Sequence, residues 1–307
     1  MPPVAIAAGR RELRMATFRR SSAGLEPLAW ATVPLPEGVF GTAALGGPVG
    51  DSAALESAAR ALVDRVGGRH PRASLVLPDA WARGMTLELG ELPEDAATRL
   101  EVLRFRLRRM VPFRIEELRL SAAPIEKLAG QEEALRVLAL LASEGVCAAL
   151  EKAFAAAGVR LGQIVGATLA RLDALAIGGR LPGLAAVASV EPEGFTLVFA
   201  RDGAPVAWRQ KGFTEGLSDP DRERLLAAEL RLTRTFLAER LAGERLSAAL
   251  LAAPAAVAPF WTRVLEDGLE HPVAALATEH LPLAAAPPAG VEEYAPLVGA
   301  ACREVAA

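Results

Sequence analysis

The chain has 307 residues, of which 52% are hydrophobic and 23% are charged. This length accommodates two domains with a large buried core, and the composition excludes an intrinsically disordered protein. The formal net charge of −3 argues against a general nucleic-acid-binding protein. Lysine-based chemistry has few candidates, because the only lysines are Lys127, Lys152 and Lys211.

The cysteines and histidines predict neither a disulfide framework nor a metal site. Cys147 and Cys302 are far apart in the sequence, and His70, His271 and His280 lack the spacing of metal ligands. The two thiols are interpreted as small buried hydrophobic residues in a reducing compartment. We therefore expect no bound metal.

The sequence predicts neither a signal peptide nor a membrane span. The apolar stretch near Met1 is too short for a signal peptide, and its positive charges follow the stretch instead of preceding it. The longest uncharged run, at 246–262, is interrupted by Pro254 and Pro259 and is shorter than the ~20 apolar residues of a spanning helix. A cytoplasmic protein is expected, with any membrane contact indirect or peripheral.

A strand–turn–strand–turn–strand pattern occurs twice. The first copy consists of strands at 4–8, 12–18 and 26–33. The second copy consists of strands at 184–189, 195–200 and 204–211. Its last turn contains Asp202-Gly203, a pair typical of tight β-hairpins. Helical sequence follows each copy, so the repetition predicts two related α/β domains.

The remaining segments complete these domains and add a third unit. A helix at 52–66 begins at the N-cap Ser52 and ends at Gly67-Gly68, before a strand at 74–77. The segment 83–158 predicts a β-α-β-β-α insert with strands at 85–89, 118–123 and 135–141 and helices at 94–110 and 143–157. The second domain continues with helices at 220–241, 255–266 and 291–306 and strands at 246–251 and 271–275. The predicted domains are therefore 1–82 plus 159–180, the insert 83–158, and 181–307.

Four segments resemble sequence runs of one protein family. Residues 91–94 read Glu-Leu-Pro-Glu, and the helix after them ends in Val111-Pro112-Phe113. The other three are the strand and helix at 135–158, the helical run at 229–236, and the run at 243–246 before the next strand. In order and spacing these segments resemble the type IV pilus assembly PilM family of the actin-like ATPase superfamily, in which the cell-division protein FtsA also carries an insert. The resemblance implies an α/β, actin-like (ribonuclease H-like) fold of two duplicated domains, with a β-α-β-β-α subdomain inserted in the first.

The resemblance also implies a place for a nucleotide site. In this superfamily ATP lies between the two domains, where glycine-rich hairpins let backbone N–H groups approach phosphate and aspartates hold hydrated Mg²⁺. In the first hairpin here, Ala7 stands at the aspartate position and is followed by Gly9, Arg10 and Arg11. These two arginines are interpreted either as phosphate ligands or as turn residues that are solvated or paired with the facing hairpin.

The second hairpin and a third, adenosine-binding turn also depart from the family pattern. The second contains Ser189, Glu191 and Gly194 without an Asp-x-Gly, and an intervening proline removes an amide donor. The third turn contains Ala253 and Pro254 where the family has glycines. The nucleotide site is therefore predicted to be degenerate. No cofactor is expected, and ATP with Mg²⁺ is implied by the resemblance alone.

Arginines are concentrated in the first helix of the predicted insert and just after it. They are Arg99, Arg104, Arg106, Arg108, Arg109 and Arg114. The cluster is either a solvated helix face or a surface for an acidic partner or anionic headgroups. In the PilM family a short cytoplasmic N-terminal peptide of the membrane protein PilN binds in a groove between the first domain and the insert. The resemblance therefore implies partner contacts in this region, at Leu87, Leu89, Arg104, Arg108, Val111 and Phe113.

No catalytic motif is recognised elsewhere, since the chain has neither a Gly-x-Ser-x-Gly elbow nor a Walker A run. The sequence and the resemblance together predict a cytoplasmic scaffold at the inner face of the inner membrane. It would bind the tail of a PilN-like protein, and by resemblance a pilus motor ring, without hydrolysing ATP. Two alternatives stay open: an active actin-like ATPase that binds Mg-ATP, and a soluble counterpart of the cytoplasmic domain of the type II secretion L protein.

Overall fold

The computed structural model describes residues 3–42, 45, 47–126, 135–213, 218–241 and 244–303. The first part of the chain forms β1 (Val4–Ala8), β2 (Glu12–Ser21), β3 (Gly24–Pro34), α1 (Ser52–Val66), β4 (Arg72–Leu77), β5 (Ala82–Leu89), α2 (Ala96–Leu107), β6 (Leu118–Pro124), β7 (Leu135–Ser143), α3 (Glu144–Ala156), β8 (Arg160–Gly166) and α4 (Ala167–Ile177). The second part forms β9 (Leu184–Glu191), β10 (Gly194–Arg201), β11 (Ala204–Gly212), α5 (Asp219–Arg240), β12 (Leu246–Ala252), α6 (Ala258–Leu269), β13 (Ala274–Ala275) and α7 (Val291–Arg303).

The first sheet has the strand order β3-β2-β1-β4-β8. Strands β1, β2 and β3 form an antiparallel meander, and β4 and β8 run parallel to β1. Because side chains alternate along a strand, β1 sends Val4 and Ile6 to one face and Ala5 to the other. The first of these faces packs on α1 and α3, so both faces of the strand are buried.

The second sheet repeats this topology, with the order β11-β10-β9-β12-β13. Its meander is β9–β11, and β12 and β13 run parallel to β9. The turn at Asp202-Gly203 has positive φ angles of 50° and 84°, as the predicted Asp-Gly hairpin requires. Helices α5 and α6 cover the outer face through Leu226, Leu230 and Trp261. The predicted duplication of an α/β unit is thereby confirmed.

Helices α4 and α7 lie between the two sheets and pack against each other. Their shared core contains Ala5 and Phe18 of the first sheet and Val187 and Val198 of the second. The helices approach very closely at Gly299 of α7, where a Cβ atom would lie 1.7 Å from the carbonyl oxygen of Ala170. Glycine is therefore required at this crossing.

The insert consists of a three-stranded antiparallel sheet in the order β5-β7-β6, with α2 packed on it. Its core joins Leu103 and Leu107 of α2 to Val137 and Leu141 of β7. Helix α3, which the sequence assigns to the same unit, packs instead on α1 and β8. The core of the first sheet thus extends into the segment that the sequence assigns to the insert.

Several predicted boundaries shift in the structure. The N-cap of α1 is Asp51 instead of Ser52, and its carboxylate accepts a 2.9 Å hydrogen bond from the Ala54 amide. Helix α6 begins at Ala258, three residues after the predicted start at 255. It begins there because Pro259, which has no N–H to donate, fits the first turn of a helix. The predicted helix stop at Gly243 and the end of the last helix beyond Arg303 lie outside the described residues.

Among the helices that the structure describes, none combines the length and the apolar composition needed to cross a membrane.

Candidate functional site

The turns of two equivalent hairpins face each other across the cleft between the sheets. The first turn joins β1 to β2, and the second joins β9 to β10. They meet in an ion pair of 3.4 Å between Arg10 Nε and a carboxylate oxygen of Glu193. The pairing alternative for Arg10 is thus the one that the structure contains, whereas Arg11 is exposed.

The aspartate position of the first hairpin carries only a methyl group. Ala7 is partly buried and packs against the core between the two sheets. Gly9 donates a 2.9 Å hydrogen bond from its amide to the Glu12 carbonyl, which closes the turn. This amide is therefore occupied within the hairpin.

A buried polar network lies beneath the hairpins and joins the two halves. Asp79 follows β4 and is 4% exposed. Its carboxylate accepts a 2.9 Å hydrogen bond from the Thr168 amide at the start of α4, and a second bond from the Thr168 hydroxyl. Arg171, one turn further along α4 and 5% exposed, donates to Ser189 Oγ at 2.6 Å and to the Glu292 carbonyl at 3.1 Å. Arg171 therefore connects α4 to both the second sheet and α7.

Glu191 completes this network from the second hairpin. One of its carboxylate oxygens accepts a 2.9 Å hydrogen bond from the Asp79 amide. Burial and the nearby Asp79 raise the pKa of Glu191, and Arg171 only partly opposes that rise. Burial likewise lowers the pKa of Arg171, but a guanidinium stays protonated at neutral pH. Arg171 is thus one cation close to two carboxyl groups, those of Asp79 and Glu191. This balance of charge favours the protonated form of Glu191.

Polar side chains also form a row across the second sheet. Ser189, Thr196 and Gln210 occupy neighbouring positions on β9, β10 and β11. Gln210 donates to the carbonyl of Asp79 and accepts a 2.8 Å hydrogen bond from the Gly84 amide of β5. The row therefore ties the second sheet to both the first domain and the insert.

The residues of the predicted nucleotide site line two separate cavities. A cavity of about 440 Å³ is lined by Arg10, Ser189, Glu191 and Gly194 of the predicted nucleotide site. Ala253 of the third turn lines a different cavity of about 580 Å³. Pro254 begins a turn, and its carbonyl accepts 3.0 Å hydrogen bonds from the amides of Val257 and Ala258. The structure thus brings the first and second hairpins together and places the third turn apart from their cavity.

The residues at the hairpins do not fit a magnesium–triphosphate group. Glu191 and Glu193 line the cavity of the predicted nucleotide site, and the charge of Glu193 would repel phosphate. The Asp79 carboxylate is engaged by Thr168, and the Ser189 hydroxyl by Arg171. Within the described ranges, no group of three or more His, Cys, Asp or Glu side chains could hold a metal ion.

Half of the predicted partner residues are core residues of the insert. Leu87, Leu89 and Val111 are 4%, 3% and 7% exposed and pack against the apolar face of α2. They do not offer a surface that a partner could contact, which corrects their assignment to a groove. Leu87 and Leu89 lie on the inner face of the sheet that α2 covers, and Val111 follows α2 and packs into the same core.

The other predicted partner residues lie nearer the surface. Arg108 is exposed and pairs with Glu116 at 2.8 Å, and Arg104 is partly buried. Phe113 is half-buried and lines the 440 Å³ cavity from the side of the insert. Phe113 is therefore the member of the predicted set that combines an apolar side chain with access from the cleft.

The buried network of Asp79, Thr168, Arg171 and Gln210 has no counterpart among the residues predicted from the sequence. In the sequence, Asp79 indicates only the end of a strand, because Pro and Asp are common turn residues. The available signal is Arg171, a charged side chain in a helix whose other buried residues are mostly apolar. A buried charge requires partners, so such a residue indicates a polar network even when its members are unknown.

Comparison with known proteins gives structural relatives only. No protein-family model matches the sequence, and no curated protein matches it. A chain of the PilM–PilN type IV pilus biogenesis complex is similar with a TM-score of 0.74 at 19% identity, covering 99% of each chain. The chain has the actin-like ATPase fold.

Two further solved structures extend this comparison. A protein of unknown function with an actin-like ATPase fold from Bacteroides thetaiotaomicron has a TM-score of 0.59 at 11% identity, covering 96% of this chain and 95% of that one. The cytoplasmic domain of EpsL, an inner-membrane component of the type II secretion system of Vibrio cholerae, has a TM-score of 0.50 at 11% identity, covering 99% and 95%. The predicted actin-like fold is thereby confirmed.

Proposed function

We propose that the protein is a cytoplasmic scaffold of type IV pilus assembly, located at the inner face of the inner membrane. It binds the cytoplasmic N-terminal tail of a PilN-like membrane protein and does not hydrolyse ATP. The observation that carries the proposal is the full-length similarity to a chain of the PilM–PilN complex, at a TM-score of 0.74. The EpsL domain of the type II secretion system is less similar, at 0.50, so that alternative has less support.

The contacts in the cleft support a scaffold over an ATPase. Arg10 pairs with Glu193 across the two turns, and Arg171 links α4 to Ser189. The side chains that could bind phosphate or magnesium are thus already paired or hydrogen-bonded to other side chains of the protein. Replacing them with a nucleotide would require breaking several buried hydrogen bonds, each of which is costly to leave unmade.

Titration with Mg-ATP tests this part of the proposal. We expect no saturable binding of a fluorescent ATP analogue at concentrations up to about 1 mM, a limit that corresponds to about −4 kcal/mol. The physical reason is that Glu193 would repel phosphate and that Arg10 and Arg171 are already engaged by protein groups. The same titration with EDTA in place of Mg²⁺ is the control. Micromolar binding that disappears with EDTA would contradict the proposal.

The tail is proposed to bind at the insert, where Phe113 lines the 440 Å³ cavity beside the β4–β5 turn. Phe113 is the predicted partner residue with an apolar side chain open to the cleft. A groove that accepts an extended peptide needs apolar pockets and backbone partners, and a single aromatic anchor often dominates the affinity. Deleting the whole segment 83–158 is not a suitable test, because α3 contributes Leu150 and Phe154 to the core of the first sheet.

Substitution of Phe113 tests the tail site. We expect Phe113→Ala to weaken binding of the PilN-like tail peptide at least tenfold by calorimetry, because a buried aromatic contact is lost. Phe105→Ala is the matched control, since Phe105 is 69% exposed on α2 and should leave the affinity unchanged. Equal affinities of both variants and the parent would place the tail elsewhere. Preference for the tail of a type II secretion partner would favour the alternative system.

A further inference from the structure

One side of α2 and of the turn after it combines large apolar side chains with arginines at the surface of the insert. Phe105 and Met110 are 69% and 49% exposed, and Arg106 and Arg109 beside them are exposed as well. We refer to these four residues as the exposed α2 face. Single exposed apolar side chains are common on proteins, but two of them interleaved with arginines form a surface of defined chemistry.

The exposed α2 face lies opposite the core of the insert. Leu103 and Leu107 are buried in that core. Phe105 is two positions from each of them, which is about 200° around a helix of 3.6 residues per turn. The chain keeps turning after Leu107, because the Met110 amide donates a 2.8 Å hydrogen bond to its carbonyl. The four side chains therefore lie within about one turn of each other on the outward side of the helix.

The two arginines of the exposed α2 face have no partner for their charge in the part of the chain that the structure describes. Neighbouring arginines are engaged instead, since Arg108 pairs with Glu116 at 2.8 Å and Arg114 pairs with Glu117 at 2.9 Å. A guanidinium without a partner keeps its donors available for an external anion, and its planar fork suits phosphate.

The positive charge of this part of the insert is local. Residues 99–117 contain six arginines and three glutamates, whereas the whole chain has a formal net charge of −3. Glu101 is exposed one turn before Phe105 and offsets one of these positive charges. The remaining excess favours a negatively charged partner at this surface.

A bilayer that contains anionic lipids fits the exposed α2 face better than a folded acidic protein does. The face belongs to a single helix and is convex, and its residues line neither of the two cavities described above. Recognition of a folded protein relies on anchors that are held in place and fit matching pockets, and no partner fixes the orientation of these arginines. A lipid surface requires no such register. Its phosphates bind basic side chains, while apolar side chains enter the boundary between headgroups and acyl chains.

We propose that the exposed α2 face binds the surface of an anionic phospholipid bilayer. Arg106 and Arg109 hold lipid phosphates, and Phe105 and Met110 enter the boundary between the headgroups and the acyl chains. This inference goes beyond the scaffold function, because it gives the chain a contact with the bilayer that does not pass through the tail of a membrane protein.

Sedimentation of the full chain with lipid vesicles tests the proposal. We expect binding to vesicles of phosphatidylglycerol and phosphatidylcholine in equal parts, and at least tenfold weaker binding to vesicles of phosphatidylcholine alone. Raising the salt concentration should weaken binding to the anionic vesicles, since added ions screen exposed charges. Replacing both Arg106 and Arg109 with glutamine should weaken it at least tenfold, and Phe105→Ala should weaken it at least threefold.

Matched substitutions of exposed residues elsewhere control for net charge and for the loss of apolar surface. Arg69→Gln combined with Arg231→Gln removes two exposed arginines that have no ion-pair partner within the described ranges. Leu232→Ala truncates an apolar side chain that is 63% exposed on α5. Both controls should bind anionic vesicles as the parent does. Because all of these side chains are exposed, every variant should keep the unfolding temperature of the parent.

Absence of binding to the anionic vesicles would overturn the proposal, and so would an equal loss of binding in the control variant of Arg69 and Arg231. Binding of soluble polyglutamate that depends on Arg106 and Arg109, without binding to vesicles, would assign the face to an acidic protein instead. The tail site is measured separately by calorimetry without lipid, where Phe105→Ala should leave the affinity for the tail peptide unchanged. Failure of one proposal is therefore distinguishable from failure of the other.

Discussion

Replacing Arg171 with methionine is expected to destabilise the folded protein by about 3–5 kcal/mol, because it leaves buried carboxylates without their cation. Arg171 is 5% exposed and donates to Ser189 and to the Glu292 carbonyl. Methionine keeps a similar volume, so the loss reports the charge and its hydrogen bonds instead of a cavity. Urea unfolding followed by circular dichroism measures the change.

Two companion variants identify the cause of this loss. Arg224→Met is the matched control, and it should cost no more than about 0.5 kcal/mol, because the pair of Arg224 with Asp221 is exposed. Adding Glu191→Gln to the Arg171 variant should recover part of the stability at alkaline pH, where Glu191 would otherwise be charged beside Asp79 without a cation. An Arg171 variant as stable as the Arg224 control would mean that the network does not hold the halves together.

The network changes what the cleft of an actin-like fold can do. Asp79 is linked to Glu191 and Gln210 of the second half, and Arg171 is linked to Ser189. Arg136 of the insert, 2% exposed, adds a 2.7 Å hydrogen bond to the Val206 carbonyl of β11. Opening the cleft would break all of these contacts at once. A partner that bound at the insert would therefore contact a surface that is already rigid. Less conformational entropy of this protein would then be lost on binding.

The fold is predictable from the sequence because local signals agree with it. The two meanders are marked by alternating apolar residues and by turns such as Asp202-Gly203. The insert is recognisable from its helix and strand spacing at 83–158. Boundaries shift where a cap or a proline decides them, as Asp51 does for α1 and Pro259 does for α6. Such competition between neighbouring residues depends on backbone geometry that composition does not specify.

The hairpins of the candidate site are predictable from the sequence, whereas its buried network is not, and the physical reason differs from that for the fold. The altered hairpins are local, so Ala7 and Glu191 can be identified by position in the sequence. The network depends on contacts between distant residues, such as Asp79 with Thr168, which are separated by 89 positions. The burial of Leu87 and Leu89 is not predictable in this way, because one sequence position does not tell which face of a strand is covered. Only the packing of α2 on the insert decides that question.

Replacing Gly299 with alanine is expected to destabilise the protein by about 3 kcal/mol or more, because the new methyl group has no space. Its Cβ would lie 1.7 Å from the Ala170 carbonyl oxygen, so α4 and α7 would have to move apart. These helices form the core between the two sheets, and their separation would expose residues such as Tyr294 and Leu297. Thermal unfolding monitored by circular dichroism measures the loss.

Gly145→Ala is the matched control for this substitution, because it places the same methyl group on an exposed helical glycine. Among the described residues, and leaving aside the helix's own backbone and the adjacent residues, that Cβ would approach Ser143 Oγ at 3.8 Å, which is ordinary contact. Alanine favours a helix over glycine, so this variant should gain about 0.5 kcal/mol. The two substitutions therefore have opposite expected signs for the same chemical change. If Gly299→Ala were also stabilising, the two central helices could separate freely, and the close crossing would not be what joins the two sheets.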